Sequence, residues 1–217
     1  MFKALHATNS LVSRIKEFEI DWYGEKPIQN VNVVIKGLRL VEDFITKETQ
    51  QALIDQIDQG VWLSELKRRV QHYGYKYDYR ARAINESMKV APLPDWVNPI
   101  IEKMLVGGVF PTAPDQMIIN EYQPGQGIAA HVDCVPCFGE QIISLSLGST
   151  AVMEFKGLKT NQKITKLLTP GSLLVMEGDA RYNWQHGIPP RKSDLINGKR
   201  KQRSRRLSLT FRKVILG

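Results

Sequence analysis

Hydrophobic and polar residues alternate along much of the second half of the chain. The clearest case is residues 206 to 212, where Leu207, Leu209 and Phe211 share one face of a predicted strand. Further strands, bounded by glycine, proline and asparagine, are predicted at 117–122, 128–133, 141–147, 151–156, 164–168 and 172–177. This succession predicts an α+β fold that is mainly β, a double-stranded β-helix or jelly roll.

Two helices are predicted ahead of these strands. Thr46 is a suitable N-cap for the first, whose buried side would carry Leu53, Ile54 and Ile57. The second follows Pro94, where apolar residues recur at helical spacing as far as Leu105. Both helices are expected to support one of the two sheets.

The tripeptide His131-Val-Asp133 suggests a metal site. Side chains two apart on a strand project to the same side, and His186 could add a second imidazole. Two imidazoles and one carboxylate form the ligand set of non-haem Fe(II) oxygenases, in which the remaining positions stay open. A histidine and an aspartate at this spacing are weak evidence alone, because most such tripeptides arise by chance.

The polar face of the 206–212 strand strengthens the hypothesis. Arg206, Ser208, Thr210 and Arg212 lie on this face, which would be solvated if the strand were at the surface and interior if two sheets enclose it. An interior guanidinium needs an anionic partner, and its planar fork fits a carboxylate. A dicarboxylic keto acid could chelate iron at one end and meet Arg206 at the other.

Several ordered stretches between about Val33 and Val214 resemble the AlkB-like Fe(II)- and 2-oxoglutarate-dependent dioxygenases. They are Asn120-Glu-Tyr-Gln-Pro-Gly-Gln-Gly-Ile128, His131-Val-Asp133, Ile142-Ile-Ser-Leu-Ser-Leu-Gly148, Gly171-Ser-Leu-Leu-Val-Met176, His186-Gly-Ile188 and the strand from Arg206 to Arg212. The resemblance implies that residues 31–217 form the dioxygenase domain. Residues 1–30 lack a clear period and are predicted to be an extension packed on this domain.

The resemblance also implies the roles of individual residues and the reaction. His131, Asp133 and His186 would be the iron ligands and the catalytic centre. The 2-oxoglutarate site would be lined by Asn120, Tyr122, Arg206, Ser208 and Arg212, although some relatives have asparagine where this chain has Ser208. Fe(II), 2-oxoglutarate and O2 would together hydroxylate a substrate C–H bond, with release of succinate and CO2. A hydroxylated N-methyl group would then leave as formaldehyde.

The net charge of +8 suggests a polyanionic partner. Cations and aromatic rings alternate between residues 67 and 82, a pattern that can stack on bases and neutralise phosphates. The predicted contacts to DNA or RNA are Arg68, Arg69, Tyr73, Tyr75, Lys76 and Tyr77, within a nucleotide-recognition lid of about 62–90 that the resemblance implies. In an alternative interpretation, this stretch is an edge hairpin whose tyrosines pack on its own sheet. A second basic cluster surrounds Asn197-Gly198 and is predicted to be a loop.

The composition is that of an intracellular enzyme, expected in the cytoplasm, or in the nucleus if the organism is eukaryotic. The apolar runs are too short for a membrane span, no signal peptide is evident, and a monomer is expected. Cys134 and Cys137 are the only cysteines and are expected to be reduced thiols. Trp184 is a candidate for shaping the substrate pocket.

The choice of substrate depends on two conflicting signals. Many repair enzymes of the family carry an acidic residue two positions after the iron aspartate, but this chain has Val135 there. The stretches beginning at Arg68, Ser144 and Arg181 are more similar to the branch that hydroxylates a modified wobble uridine in tRNA. That branch usually has further domains, which 217 residues cannot hold, so demethylation of alkylated bases in DNA or RNA is placed first. A non-catalytic nucleic-acid-binding module and an oxygenase of protein or lipid are the alternatives of other classes.

Overall fold

The computed structural model describes residues 34–64 and 66–216. The first helix, α1 (Lys47–Asp58), begins after Thr46, whose hydroxyl accepts a hydrogen bond from Thr49 N at 3.2 Å. The second, α2 (Asn98–Val106), has a proline in its first turn and follows a 3₁₀ turn at Asp95–Val97. A third, α3, is a short helix at Gly178–Tyr182, and another 3₁₀ turn lies at Glu86–Met88. Both predicted helices are confirmed.

In the described part of the chain, twelve strands make up two antiparallel sheets and a separate hairpin. The larger sheet has the order β1-β8-β5-β12-β3-β2, the smaller has the order β4-β9-β6-β7, and β10 pairs with β11. Their bounds are β1 Leu38–Val41, β2 Val70–Tyr73, β3 Gln116–Tyr122, β4 Ile128–His131, β5 Phe138–Gly148, β6 Ala151–Gly157, β7 Lys163–Leu168, β8 Leu173–Met176, β9 Trp184–Ile188, β10 Ser193–Ile196, β11 Lys199–Gln202 and β12 Arg206–Val214.

The main hydrophobic core lies between the larger sheet and the helices. Leu53 and Ile57 of α1 and Met104 of α2 pack there against the apolar side of β12. Burial of these side chains removes apolar surface from water, so the alternation read from residues 206–212 fixes which face of β12 meets the helices. The expected support of one sheet by the helices is confirmed.

The opposite face of β12 is also buried, because the smaller sheet lies across it. Strand β12 is central in its sheet, between β5 and β3, and all of residues 206–211 are buried. The mainly β jelly-roll fold is therefore confirmed, and a strand that could have been a surface strand is interior on both sides.

Several features differ from the sequence-based expectations. Strands β1, β2 and β9 and the β10–β11 hairpin are additional, and the basic segment predicted as a loop contains that hairpin. The predicted extension at residues 1–30 lies outside the described residues. No helix in the described part of the chain is long and apolar enough to cross a membrane.

The expectation of two reduced thiols is wrong, since Cys134 and Cys137 form a disulfide. The C-x-x-C spacing falls in the turn after β4, which brings the two Cα atoms within 5.3 Å, a separation that suits a disulfide. Both sulfur atoms also lie close to the carbonyl oxygen of Arg82, at 3.1 and 3.3 Å.

Candidate functional site

Two histidines face each other on neighbouring strands of the smaller sheet. His131 ends β4 and His186 lies in β9, and the antiparallel register pairs them directly. Asp133 follows two residues after His131, and the possible ligand atoms of the three side chains all lie within 4.8 Å of one another. The structure thus brings together the three residues that the sequence predicted as iron ligands.

Neighbouring groups determine which atoms of these residues are available. The Nδ1 of His131 lies 2.9 Å from the carbonyl oxygen of Ala129, which can only accept, so Nδ1 carries the proton and Nε2 is free. Arg212 donates to Oδ1 of Asp133 from Nη2 at 2.6 Å and from Nε at 3.1 Å. The other oxygen, Oδ2, is 3.4 Å from Nε2 of His186. Nε2 of His131 and Oδ2 of Asp133 therefore remain available to a metal ion, and Nε2 of His186 lies beside them.

The electrostatics of the site keep Asp133 and His186 in ligand form near neutral pH. Burial alone would raise the pKa of Asp133, but the charge of Arg212 outweighs it and holds that pKa well below its usual range. Burial lowers the pKa of His186 to about 4, against an opposing effect of Asp133. An ionised carboxylate and a neutral imidazole are the forms that bind a metal ion.

Arg181 is a functional candidate that sequence reasoning missed. It is 2% exposed and donates to the carbonyl oxygens of Asp133 (2.9 Å) and Cys134 (3.0 Å). These bonds fix the chain where it leaves β4, directly behind the aspartate. A lone arginine in a short segment between strands gives no periodic signal, so only its surroundings reveal this role.

Arg206 stands at the other end of the polar face of β12. It is 3% exposed and donates from Nη2 to Ser146 Oγ at 2.8 Å. Its Nε and Nη1 have no hydrogen-bond partner among the described residues, and burial lowers its pKa to about 10. Unpaired donors on a buried cation are costly, so they fit an anionic ligand such as the far carboxylate of 2-oxoglutarate.

The other predicted 2-oxoglutarate residues line the same wall, because β3 and β12 are in register. Tyr122 pairs with Arg206, and Asn120 pairs with Ser208. The guanidinium of Arg206 lies 5.5 Å from the centre of the Tyr122 ring. Ser208 shares a 2.8 Å hydrogen bond with Ser144 of β5. Asn120 Oδ1 accepts a 2.7 Å hydrogen bond from Nε of Arg68, which links this wall to the segment before β2.

A cavity of about 440 Å³ joins all of these residues. Its lining includes the three possible metal ligands, Arg206 and Arg212, together with apolar side chains such as Ile142 and Met153. Arg68, Tyr77, Tyr79 and Arg82 line it as well, and all four come from the stretch of alternating cations and aromatic rings. Tyr77 packs edge-on against Tyr79, with ring centres 5.0 Å apart.

The six predicted nucleic-acid contacts are divided by the structure. Only Arg68 and Tyr77 line the cavity. Arg69 binds both carboxylate oxygens of Glu121 and covers the Trp62 ring, while Tyr73 packs edge-on against Trp96 beside the main core. Tyr75 and Lys76 form backbone pairs with the 88–89 segment. The ring that Tyr73 contacts belongs to the 3₁₀ turn before α2, so the alternative interpretation, tyrosines packed on their own sheet, stays a prediction.

Trp184 does not line the cavity. Its side chain is buried and donates from Nε1 to Asp179 Oδ2 at 3.1 Å, which attaches α3 to the start of β9.

Val135 is 49% exposed and offers no polar group at the position where many repair enzymes are acidic. Among the described residues that line the cavity, Asp133 is the only one with a carboxylate.

The fold and the site define a class of enzyme, and comparison with known proteins agrees. The family model of the 2OG-Fe(II) oxygenase superfamily matches residues 37–212, so the chain belongs to this superfamily. Its members use Fe(II), 2-oxoglutarate and O2, and the donor set of His131, Asp133 and His186 fits Fe(II). The unpaired donors of Arg206 fit the keto acid. Within the superfamily, the chain is an AlkB-like dioxygenase, as its relatives show.

Three of the relatives that are at least 30% identical come from a virus, an animal and a plant. Uncharacterized protein L905 of Acanthamoeba polyphaga mimivirus is 37% identical, over 83% of this chain and 86% of that protein. The tRNA (carboxymethyluridine(34)-5-O)-methyltransferase alkbh8 of Xenopus tropicalis is 38% identical, over 82% of this chain. The alkylated DNA repair protein ALKBH8 homolog of Arabidopsis thaliana is 32% identical, over 98% of this chain and 68% of that protein.

These similarities differ in how much of each relative they cover. This chain spans only about a third of the length of the Xenopus protein, with 32% covered. Among solved structures, OsALKBH1 matches with a TM-score of 0.63 at 19% identity, over 82% of this chain and 98% of that one. That likeness shows the fold alone.

Proposed function

We propose that this chain oxidises a modified base in nucleic acid, with His131, Asp133 and His186 as the iron ligands. The observation that carries the proposal is the single cavity of about 440 Å³. It connects the ligand set and Arg206 with tyrosines and arginines suited to a base and its phosphates. A base inside a duplex cannot reach this depth, so the substrate is single-stranded or flipped out of its stack.

Arg206 binds the far carboxylate of 2-oxoglutarate with Nε and Nη1, the donors that have no partner among the described residues. Asn120, Tyr122 and Ser208 line the same wall, and Arg212 keeps Asp133 ionised and oriented. Bound Fe(II) supplies the activation of O2 that couples decarboxylation of the keto acid to hydroxylation of the base substituent. The apolar walls at Ile142 and Met153 limit water in the inner cavity.

The charge of the cavity favours a neutral or anionic base over a cationic one. Among the described residues, Arg68, Arg82, Arg206 and Arg212 line it, and the one carboxylate in that set is held by Arg212. A base that carries a positive charge after N-alkylation would meet cations without a free anionic partner. A uridine with a polar substituent presents hydrogen-bond acceptors instead, which arginine can bind.

Two reactions are therefore candidates, and their order is the reverse of the one expected from the sequence. Hydroxylation of a modified wobble uridine in tRNA is now first, in line with the cavity and with the similarity to the Xenopus tRNA methyltransferase. Demethylation of a neutral N-methylated base is second. It is supported by a 26% identical relative, the DNA N6-methyl adenine demethylase of Caenorhabditis elegans.

The test is to incubate the protein with Fe(II), 2-oxoglutarate, ascorbate and one of three substrates: total tRNA, methylated RNA or methylated DNA. The nucleosides are then analysed by mass spectrometry, with His131→Ala as the control. We expect one oxygen to be added to a modified uridine. Loss of a methyl group with formation of formaldehyde would instead select the demethylase. Succinate production with every nucleoside unchanged would refute the nucleic-acid assignment.

A matched experiment separates an enzyme from a binding module. A module would bind RNA without consuming 2-oxoglutarate, and it would do so equally well in the His131→Ala variant. We expect the wild-type chain to convert 2-oxoglutarate into succinate, with conversion stimulated by the correct nucleic acid. Absence of succinate with Fe(II) bound would contradict the catalytic role.

A further inference from the structure

The β10–β11 hairpin is a basic element outside the cavity. Its two-residue turn, Asn197-Gly198, has positive φ angles of 49° and 73°, as tight hairpin turns require. Strand β11 begins Lys199-Arg200-Lys201, and every residue of this strand is exposed. None of these residues lines the cavity or belongs to the core.

The base of the hairpin is fixed by a buried ion pair. Asp194 of β10 is 2% exposed and accepts two hydrogen bonds from Arg203, from Nε at 2.6 Å and from Nη2 at 2.7 Å. Arg203 also donates to the carbonyl oxygen of Pro189 at 2.9 Å. This network attaches both strands to the segment that follows β9, so the exposed cations stand on an ordered base.

The same ion pair leaves the exposed cations without acidic partners. Asp194 is the only acidic residue from 189 to 204, and Arg203 neutralises it. Within the described chain, no carboxylate lies within ion-pair distance of Lys192, Lys199, Arg200 or Lys201. An ordinary solvated surface mixes charges of both signs, whereas this one is uniformly positive.

Hydrogen bonds connect Lys192 and the β10–β11 hairpin with the segment before β2, which contributes Arg68 to the cavity lining. Gly125 N donates to the carbonyl oxygen of Arg191, the neighbour of Lys192, at 3.3 Å. In the same turn, Gln126 Nε2 donates to the carbonyl oxygen of Lys67 at 2.7 Å. Lys67 is exposed and precedes Arg68, which lines the cavity. Cations therefore extend from the cavity lining to the hairpin across adjoining segments.

We propose that Lys192 and the β10–β11 hairpin bind the phosphodiester backbone beside the nucleotide that enters the cavity. The inference rests on the proposed function, since it assigns a second contact surface to the same substrate. Lysine and arginine that neutralise phosphates release counterions, so this contact is independent of sequence and weakens as salt rises. The cavity then selects the base, while the hairpin contributes affinity.

The test compares two double variants with the same change in net charge. Lys199→Gln with Arg200→Gln removes two cations of the hairpin, and Lys36→Gln with Lys47→Gln removes two exposed cations near the start of β1 and of α1. Affinity for labelled single-stranded RNA and DNA of about 20 nucleotides is measured by fluorescence anisotropy at several salt concentrations. Thermal unfolding verifies that both variants are folded.

We expect the hairpin variant to bind both the RNA and the DNA oligonucleotide roughly 10- to 30-fold more weakly near 0.1 M salt. The slope of log affinity against log salt concentration should be shallower by about 1.4. The control variant should keep the wild-type slope. Equal losses in both variants would attribute the effect to net charge and overturn the inference, as would a hairpin variant with wild-type affinity. If the wild-type chain bound neither the RNA nor the DNA oligonucleotide, the proposed function itself would fail.

Discussion

Replacement of Arg206 by methionine tests the keto-acid site most directly. The guanidinium is 3% exposed, with Nε and Nη1 unpaired among the described residues. Removal of one partner from a buried, hydrogen-bonded charge pair costs about 2–5 kcal/mol. We therefore expect the apparent affinity for 2-oxoglutarate to fall roughly 30- to 4000-fold.

Although the affinity should fall, the stability of the ligand-free protein should stay the same or increase. Burial lowers the pKa of Arg206 to about 10, because keeping this charge in the interior costs free energy in the ligand-free protein. Its hydrogen bond to Ser146 and its contact with the Tyr122 ring act against this cost. Replacement of a buried charge by an apolar side chain of similar volume is nevertheless often neutral or stabilising. Arg206→Met should thus unfold at the wild-type temperature or above it, while losing the stabilisation that 2-oxoglutarate gives the wild type.

A keto acid without the far carboxylate makes the assay specific. 2-Oxobutyrate should bind the wild type much more weakly than 2-oxoglutarate does, whereas the two should bind Arg206→Met within about tenfold. Isothermal titration in the presence of Mn(II) measures all four affinities. Arg39→Met, on the edge strand β1, is the control and should retain the wild-type preference. A variant that is folded and still prefers 2-oxoglutarate to the wild-type extent would refute the assignment of Arg206.

Three further predictions concern residues that support the site and the fold. Arg181→Met should weaken Mn(II) binding by about 10- to 100-fold, because Arg181 holds the backbone at Asp133; unchanged affinity by titration would contradict that role. Asp194→Asn should lower the free energy of unfolding by about 3–5 kcal/mol near pH 7, measured by urea denaturation, since it leaves Arg203 buried without a counter-charge. Burial opposes ionisation of Asp194, but its hydrogen bonds with Arg203 lower the pKa of this carboxyl overall. The stabilisation that ionised Asp194 gives the fold is therefore present above about pH 4 and is lost as the pH falls. The Asp194→Asn variant should lack this acid dependence. Thr46→Ala should cost about 1 kcal/mol of stability through the lost cap of α1, and a thermal midpoint equal to that of the wild type would count against the cap.

Local patterns predicted elements such as α1 and β12, whose apolar residues recur at the spacing of a helix or of a strand. Thr46 marked the start of α1, because its hydroxyl satisfies a backbone N–H that the helix leaves free. Strands such as β9 and β10 were missed, since they have only five and four residues, too few for a clear alternation to appear. Short elements of this kind are stabilised by sheet pairing and not by their own periodicity.

The sequence by itself determined the chemistry that is possible: two imidazoles and a carboxylate, and arginines alternating with small polar residues on one face of β12. Only the tertiary structure decided which of these groups share a site. The β4–β9 register places His186 opposite His131, and the smaller sheet encloses the polar face of β12. Arg68 and Arg69 are adjacent in sequence, yet one lines the cavity while the other pairs with Glu121. Strand pairing and burial connect residues that are far apart in the chain, and no local pattern records these contacts.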